Sequence, residues 1–451
     1  MTPHYADPVA PILIALMLIG ISAELGGWLV QKVGQPAVLG ELLVGILIGN
    51  LAYWLREPII TVLREGDLVR QIANQAFSHG VSLVGAAQAM LPPGPATARL
   101  LAALGETSGP RAVSIYLFVD DLSRLAIIFL LFLVGLETSV AEMRRVGKRA
   151  FSVAVVGVAC PLLLGLGAME LLMPAATIVH DLFIGGILTA TSVGITARIF
   201  HDLGQTKSPE ARIILGAAVI DDILGLLVLA VVTGLVVRGT VSVLGISVIT
   251  LKAIAFLVGS IGAGLWLTPR LVPRIRRMGF RNVRLLVGLG LAFVLSWVAT
   301  KIGLATIVGA FAAGLILERF FTQEMEDEHS LRDLLSPLES LVVPVFFVLM
   351  GLQVKLETFL NWPTIELAAV LTAVAIVGKV VSGVAAGRGV SWISVGIGMM
   401  PRGEVGLIFA SIGRALGVVD DAVFSAVILM VLVTTLLTPP LLGIAMGRGH
   451  A

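Results

Sequence analysis

Two adjacent acids, Asp221 and Asp222, sit in the run GAAVIDDILGLLVLAVV, with apolar residues on both sides. An ionised side chain inside a bilayer is expensive, so it normally lines a watered path or pairs with another charge. Neighbouring positions on a helix point about 100° apart, so the two carboxylates cannot both face one partner. One can face an ion cavity while the other holds a counter-charge. A carboxylate in a half-hydrated cavity binds a proton or a monovalent cation, and binding one displaces the other. Burial favours the neutral carboxyl, and a nearby ammonium favours the carboxylate. The pair can therefore seat either ion in turn.

A lysine supplies a candidate partner. Lys379 lies in VAIVGKVVSGVAAG, where a lone ammonium must find a counter-ion, lose its proton, or snorkel to the interface. Either aspartate would serve as the counter-ion. Two stretches read as interrupted helices. One is Thr189-Ala190-Thr191-Ser192-Val193-Gly194; the other runs from Gly396 through Pro401-Arg402-Gly403-Glu404. Glycine, proline and hydroxyl residues cluster there, where backbone would unwind. Freed carbonyls and the hydroxyls of Thr189, Thr191 and Ser192 can then ligate a small cation, with half-helix dipoles aimed at the site. Arg402 and Glu404 can neutralise the broken ends. Glu41 lies within an apolar span and is a further pathway candidate; Glu24, Asp120, Asp121 and Lys252 fall near span ends.

The elements that must position these groups are membrane helices. The 451 residues are 57% hydrophobic and 13% charged, with a mean hydropathy of +1.01. A soluble chain could not hide that much apolar surface. The net charge of +2 gives no reason to expect a nucleic-acid partner, and the single cysteine, Cys160, has no partner for an internal disulfide. Runs of roughly 20 apolar residues, enough for ~30 Å of hydrocarbon, give about 13 predicted spans. They lie near 10–31, 36–55, 115–137, 148–172, 182–203, 209–236, 242–268, 282–300, 303–318, 336–354, 364–387, 391–415 and 420–446. The first lacks a basic leader and is read as a span rather than a cleaved signal. Arg144, Arg145, Lys148 and Arg149 fall in one loop, and Arg270, Arg274, Arg276, Arg277, Arg281 and Arg284 in another. Both lie on one side with this span count. The excess of positive charge makes that side cytoplasmic, with the N-terminus outside and the C-terminus inside. Residues 56–114 form an external insertion, whose stretch from Gln71 to Leu91 suits either an interfacial helix or an irregular loop. The remainder, 1–451, reads as one transmembrane unit without a soluble regulatory domain, a cofactor or enzymatic chemistry.

The spans repeat. FLLFLVGLETSV, with Gly135, matches VFFVLMGLQVKL, with Gly351; Ser192-Val193-Gly194-Ile195 matches Glu404-Val405-Gly406-Leu407. Gly40 and Gly45 match Gly309 and Gly314. The spacing between matched positions shortens across the 56–114 segment, which is therefore an insertion into the first repeat. Five spans per repeat would make the halves inverted.

At these residues the sequence resembles the monovalent cation:proton antiporter superfamily, in its NapA-type sodium/proton or potassium/proton branch. The resemblance rests on PAVLGELL (36–43), LFLVGLET (131–138), TSVGITAR (191–198) and PRGEVGL (401–407). It implies an all-α fold of inverted five-helix repeats with two crossing broken helices, a core domain, and a dimerisation domain that makes a homodimer in the inner membrane. It implies that Asp222 binds the cation or proton and that Asp221 pairs with Lys379. Two acids plus the lysine imply electrogenic exchange, with Na⁺ favoured, Li⁺ accepted and K⁺ the alternative. The long insertion departs from the pattern.

Other classes fit less well. An intramembrane aspartyl protease needs acids from different helices, whereas these are adjacent on one. A channel needs a filter-like selectivity path. A sodium-coupled organic-solute symporter of related architecture is the nearest rival, disfavoured by the paired acids and Lys379.

Overall fold

A computed structural model describes residues 9–91, 94–137, 147–202, 205, 208–238, 243–277, 283–323 and 331–446. Every regular element among them is helical. This is the expected answer for a chain whose backbone polar groups must be satisfied internally in lipid. In order come α1 (Ala10–Gln31), α2 (Ala37–Trp54), α3 (Pro58–Glu65), α4 (Asp67–His79), α5 (Leu83–Met90), α6 (Pro95–Gly105) and α7 (Gly109–Glu137). Then follow α8 (Gly147–Leu172), α9 (Ile178–Ile187), α10 (Val193–Asp202), α11 (Pro209–Arg238), α12 (Val243–Arg277) and α13 (Val283–Lys301). The last six are α14 (Thr306–Gln323), α15 (Leu331–Leu352), α16 (Trp362–Ser382), α17 (Trp392–Gly398), α18 (Glu404–Ala415) and α19 (Asp421–Ala445).

Among the described residues, nine helices are long and apolar enough to cross a membrane: α1, α2, α8, α11, α12, α13, α15, α16 and α19. Each coincides with a predicted span. The other four predicted spans differ in kind. Those at 182–203 and 391–415 are each two short helices separated by extended chain, α9 with α10 and α17 with α18. That at 303–318 falls in α14, whose apolar part is short, and that at 115–137 lies in α7, which carries Asp120, Asp121 and Arg124. Of the basic loops, Arg144, Arg145 and Arg281 lie outside the described residues.

The chain divides into two compact units. The first comprises Met1–Ile127 with Pro337–Thr358. In it α1 and α2 cross so closely at Gly26 and Gly40 that a Cβ on either would strike the other's backbone. Further along α2, Gly45 meets Gly351 of α15 in the same way. The 56–114 segment is folded here rather than irregular. Glu57 caps α3 through the Ile60 amide at 3.0 Å, Ser82 caps α5 through the Gly85 amide at 3.0 Å, and Gly80 closes α4 in the left-handed region at φ 64°. Buried ion pairs tie it down. The fully buried Arg64 donates to Asn50 Oδ1 at 2.8 Å, pairs with Glu357, and lies over the Tyr53 ring. Lys355 reaches Glu65 at 2.8 Å. Arg70 bridges Asp120 and Asp121, and Arg124 bridges Asp120 and Asp67.

The second unit comprises Ile128–Ser336 with Phe359–Ala451. Its α13 and α14 cross where Gly309 meets Leu295 and Ser296, and Gly314 of α14 meets Gly135 of α7. The matched glycines of the repeat therefore perform matched tasks: Gly40 with Gly309, Gly45 with Gly314, and Gly351 with Gly135. The rest of this unit includes α8, the interrupted pairs, α11, α12, α16 and α19. Gly378 of α16 fits against Pro161 of α8, and Gly165 of α8 against Gly185 of α9. An apolar cluster including Ala154, Phe200, Ile214, Ala218, Val395 and Met399 fills the space around the two interruptions.

Candidate ion site

The interruptions meet. The Ser192 amide donates to Pro401 O at 3.0 Å, so extended chain from one break pairs with extended chain from the other. Thr191 Oγ1 donates to Met399 O at 3.3 Å, and Thr196 Oγ1 to Gly398 O at 3.0 Å. The approach is close enough that a Cβ on Gly403 would lie 2.6 Å from Ser192 Cβ. A small residue is required at Gly403 for this contact. Thr189 turns its hydroxyl back to Gly186 O at 2.7 Å.

Arg402 is fully buried at this crossing. Its Nη1 donates to Ala190 O in the opposite break, and its Nη2 to Ala375 O on α16 at 3.2 Å. Ala375 is one turn before Lys379. Arg402 therefore donates directly to a carbonyl freed at the opposite break. The carbonyl of Arg402 itself accepts from Thr435 Oγ1 of α19 at 2.5 Å. Unwound backbone in a dry interior is stable only when its polar groups are paired, and these side chains do the pairing.

Thr196 stood out in the sequence only as a member of TSVGITAR, and Thr435 not at all. The crossing also changes the reading of Thr191. Its hydroxyl proton is committed to a carbonyl across the crossing, so the carbonyls of Met399, Gly398 and Ala190 are held by protein donors.

Beside the crossing, Lys379 Nζ lies 2.7 Å from Asp221 Oδ1, both side chains being fully buried. The other Asp221 oxygen is buried with no hydrogen-bond partner among the described residues. Gly157 of α8 makes room for the pair: a Cβ there would stand 3.4 Å from Lys379 Nζ and 3.6 Å from Asp221 Oδ1. Asp222 is 6% exposed. Three residues on, Gly225 faces the first break, where its Cβ would lie 3.9 Å from Thr189 Oγ1. Positions three apart share a helix face, so Asp222 is on the side of α11 turned to that break. Arg402 and Asp222 both lie within electrostatic range of Lys379, as Asp221 does of Arg402. The site thus gathers two acids and two bases.

Of the remaining candidates, Glu404 opens α18 with its side chain outside the description, and Glu41 belongs to α2 in the other unit, half-buried with a buried, unpaired Oε2.

The Thr435 bond gives a direct expectation. Thr435→Val keeps the size but leaves the Arg402 carbonyl without its donor, a loss of about 1–3 kcal/mol for a buried acceptor. Purified Thr435→Val should melt below wild type, and Thr435→Ser should restore the melting temperature.

Residues 20–446 match the family model described as sodium/hydrogen exchanger, transmembrane. The chain is 40% identical over 441 residues to the high-affinity Na(+)/H(+) antiporter NhaS3 of Synechocystis, covering 96% of this chain and 89% of that protein. It is 27% identical to the Na(+)/H(+)-K(+) antiporter GerN of Bacillus cereus, over 96% of this chain and 95% of the relative. Among solved structures, the sodium proton antiporter MjNhaP1 of Methanocaldococcus jannaschii superposes with a TM-score of 0.65 at 16% identity, covering 97% of this chain and 98% of that one. The shared fold, the family match over nearly the whole length and the close relative agree: this multi-pass membrane protein belongs to the sodium/hydrogen exchanger family.

Proposed function

We propose that the protein is an electrogenic antiporter that exchanges a monovalent cation, Na⁺ first and Li⁺ second, for protons by competition at Asp222. The observation that carries this reading is the buried Lys379–Asp221 pair, 2.7 Å long, beside a nearly buried Asp222 at the meeting of two interrupted helices. With Asp221 committed to Lys379, Asp222 is the carboxylate left to trade a proton for a cation. A carboxylate oxygen is a hard donor, which suits hard monovalent cations. Thr189, Thr191 and Ser192 would fix the geometry around the ion, with any ligation through their lone pairs.

The names of the relatives support the same class, and that of GerN, which includes K⁺, keeps K⁺/H⁺ exchange as the second reading. The proposal places the protein in the cytoplasmic (inner) membrane as a homodimer. Its N-terminus and the 56–114 insertion face outward, and its C-terminus and basic loops face inward. The apolar outer face of α1, with Leu13, Met17, Leu18 and Leu25 exposed, suits lipid or a second copy.

The test is proton flux in acid-loaded proteoliposomes. Adding Na⁺ or Li⁺ outside should alkalinise the lumen, faster with an inside-negative or inside-positive potential according to the direction of net charge. No cation-dependent pH change would overturn the antiport reading, and a response to K⁺ alone would select the second.

A further inference from the structure

Gly157 and Pro161 stand about one helical turn apart on α8, beside the ion pair. Pro161 lies inside the helix. Proline has no N–H, so the bond that would close the Gly157 carbonyl in a regular helix cannot form, and the ring pushes against that carbonyl. Gly378 of α16 rests on this proline: a Cβ on Gly378 would come within 2.9 Å of Pro161 Cα and Cγ. The next residue on α16 is Lys379. The gap in the α8 ladder therefore falls where α8 meets the lysine.

The ammonium has donors to spare. It carries three, and among the described residues its hydrogen bond goes to Asp221 Oδ1 at 2.7 Å. A Cβ on Gly157 would stand 3.4 Å from Lys379 Nζ, so the bare backbone of Gly157 borders the ammonium. Gly157 is buried, and a buried carbonyl without a donor is costly. A buried ammonium with unused donors is costly too. Each group supplies what the other lacks. Asp222 is the competing acceptor, within electrostatic range of Lys379. An ammonium that turned to Asp222 would take the place of a cation.

We propose that the Gly157 carbonyl, left open by Pro161, holds the Lys379 ammonium beside α8 and so keeps Asp222 open to cations. One ammonium proton stays on Asp221, a second goes to Gly157 O, and the charge remains with Asp221 rather than moving to Asp222. Gly157 and Pro161 are positioning residues, since they act on the ion through Lys379. A hydrogen bond from a charged donor shifts an equilibrium by about tenfold or more. The open carbonyl changes the competition at Asp222 by about that factor.

The inference rests on the antiport reading. Pro161→Ala and Pro161→Val both supply the missing N–H, which takes the Gly157 carbonyl as in any regular helix. They differ in bulk against Gly378. The apparent KM for Na⁺ in proteoliposomes should rise about tenfold in both. An unchanged KM in either overturns the proposal. Melting curves separate the carbonyl from a mere bend in α8. Removing an interior proline favours a helix, so each variant should raise the melting temperature when added to Lys379→Met with Asp221→Asn. Added to the wild type, each should raise it less or lower it. Equal shifts in the two backgrounds mark a bend alone and overturn the proposal. A variant that inserts only in the neutral background supports it, and one that inserts in neither overturns it. If the wild type exchanges no cation, the antiport reading falls instead, and the melting comparison still decides whether the carbonyl serves Lys379.

Discussion

Asp222→Asn is expected to reduce cation-driven proton movement to the level of empty liposomes, while the protein inserts, purifies and melts close to wild type. Asparagine has nearly the same volume and keeps a carbonyl oxygen, so packing around α11 is preserved. It cannot ionise, so it neither attracts a cation nor releases a proton when one arrives. Competition needs one atom that takes both ions, and the amide takes neither well. The stability half of the expectation follows from the surroundings. Asp221 is hydrogen-bonded to Lys379, so neutralising Asp222 leaves that buried pair intact. Proteoliposome flux with thermal melting in detergent checks both halves. Full activity in Asp222→Asn would remove this residue from the ion seat; lost activity with a collapsed melting curve would mark it as structural.

The same comparison separates what the sequence made legible from what it did not. The long spans were legible because hydrocarbon imposes a length and a composition, and nine runs meeting both became nine helices. The two interruptions were legible from Thr189 to Gly194 and from Gly396 to Glu404, where helix-breaking residues have no other reason to cluster in apolar runs. The repeat was legible through glycines because close helix crossings admit only a hydrogen at Gly40, Gly45, Gly309 and Gly314.

The insertion was harder to read. Its helices α3 and α4 mix apolar and charged residues, and their order depends on pairs such as Arg70 with Asp120, which are 50 residues apart. The crossing itself was hidden for the same reason. Thr191 and Met399 are 208 residues apart, and Thr196 and Gly398 are 202 apart. No local pattern announces which buried hydroxyl will meet which freed carbonyl. The buried Asp181 was missed because the predicted span began at 182, whereas α9 begins at Ile178.

Lys379→Met carries the largest expected effect on stability. The lysine is fully buried, and its ammonium donates to Asp221. Removing one member of a buried ion pair leaves the other charge uncompensated, at a cost of about 3–5 kcal/mol. Replacing both members with neutral groups avoids that penalty, because no charge remains to desolvate. The single variant Lys379→Met should therefore melt well below wild type, and Lys379→Met combined with Asp221→Asn should recover most of the difference. A double variant as unstable as the single one would show that the lysine acts through the packing of its stem rather than through its charge. The double variant also tests the origin of electrogenicity. With Asp221 and Lys379 neutral, Asp222 is the titrating carboxylate left of the pair, so one proton leaves as one cation enters and no net charge moves. Exchange by the wild type should respond to an imposed membrane potential, and exchange by the double variant should not. Equal responses would place the extra charge movement elsewhere, with Arg402 the other buried base at the crossing and therefore the next residue to neutralise.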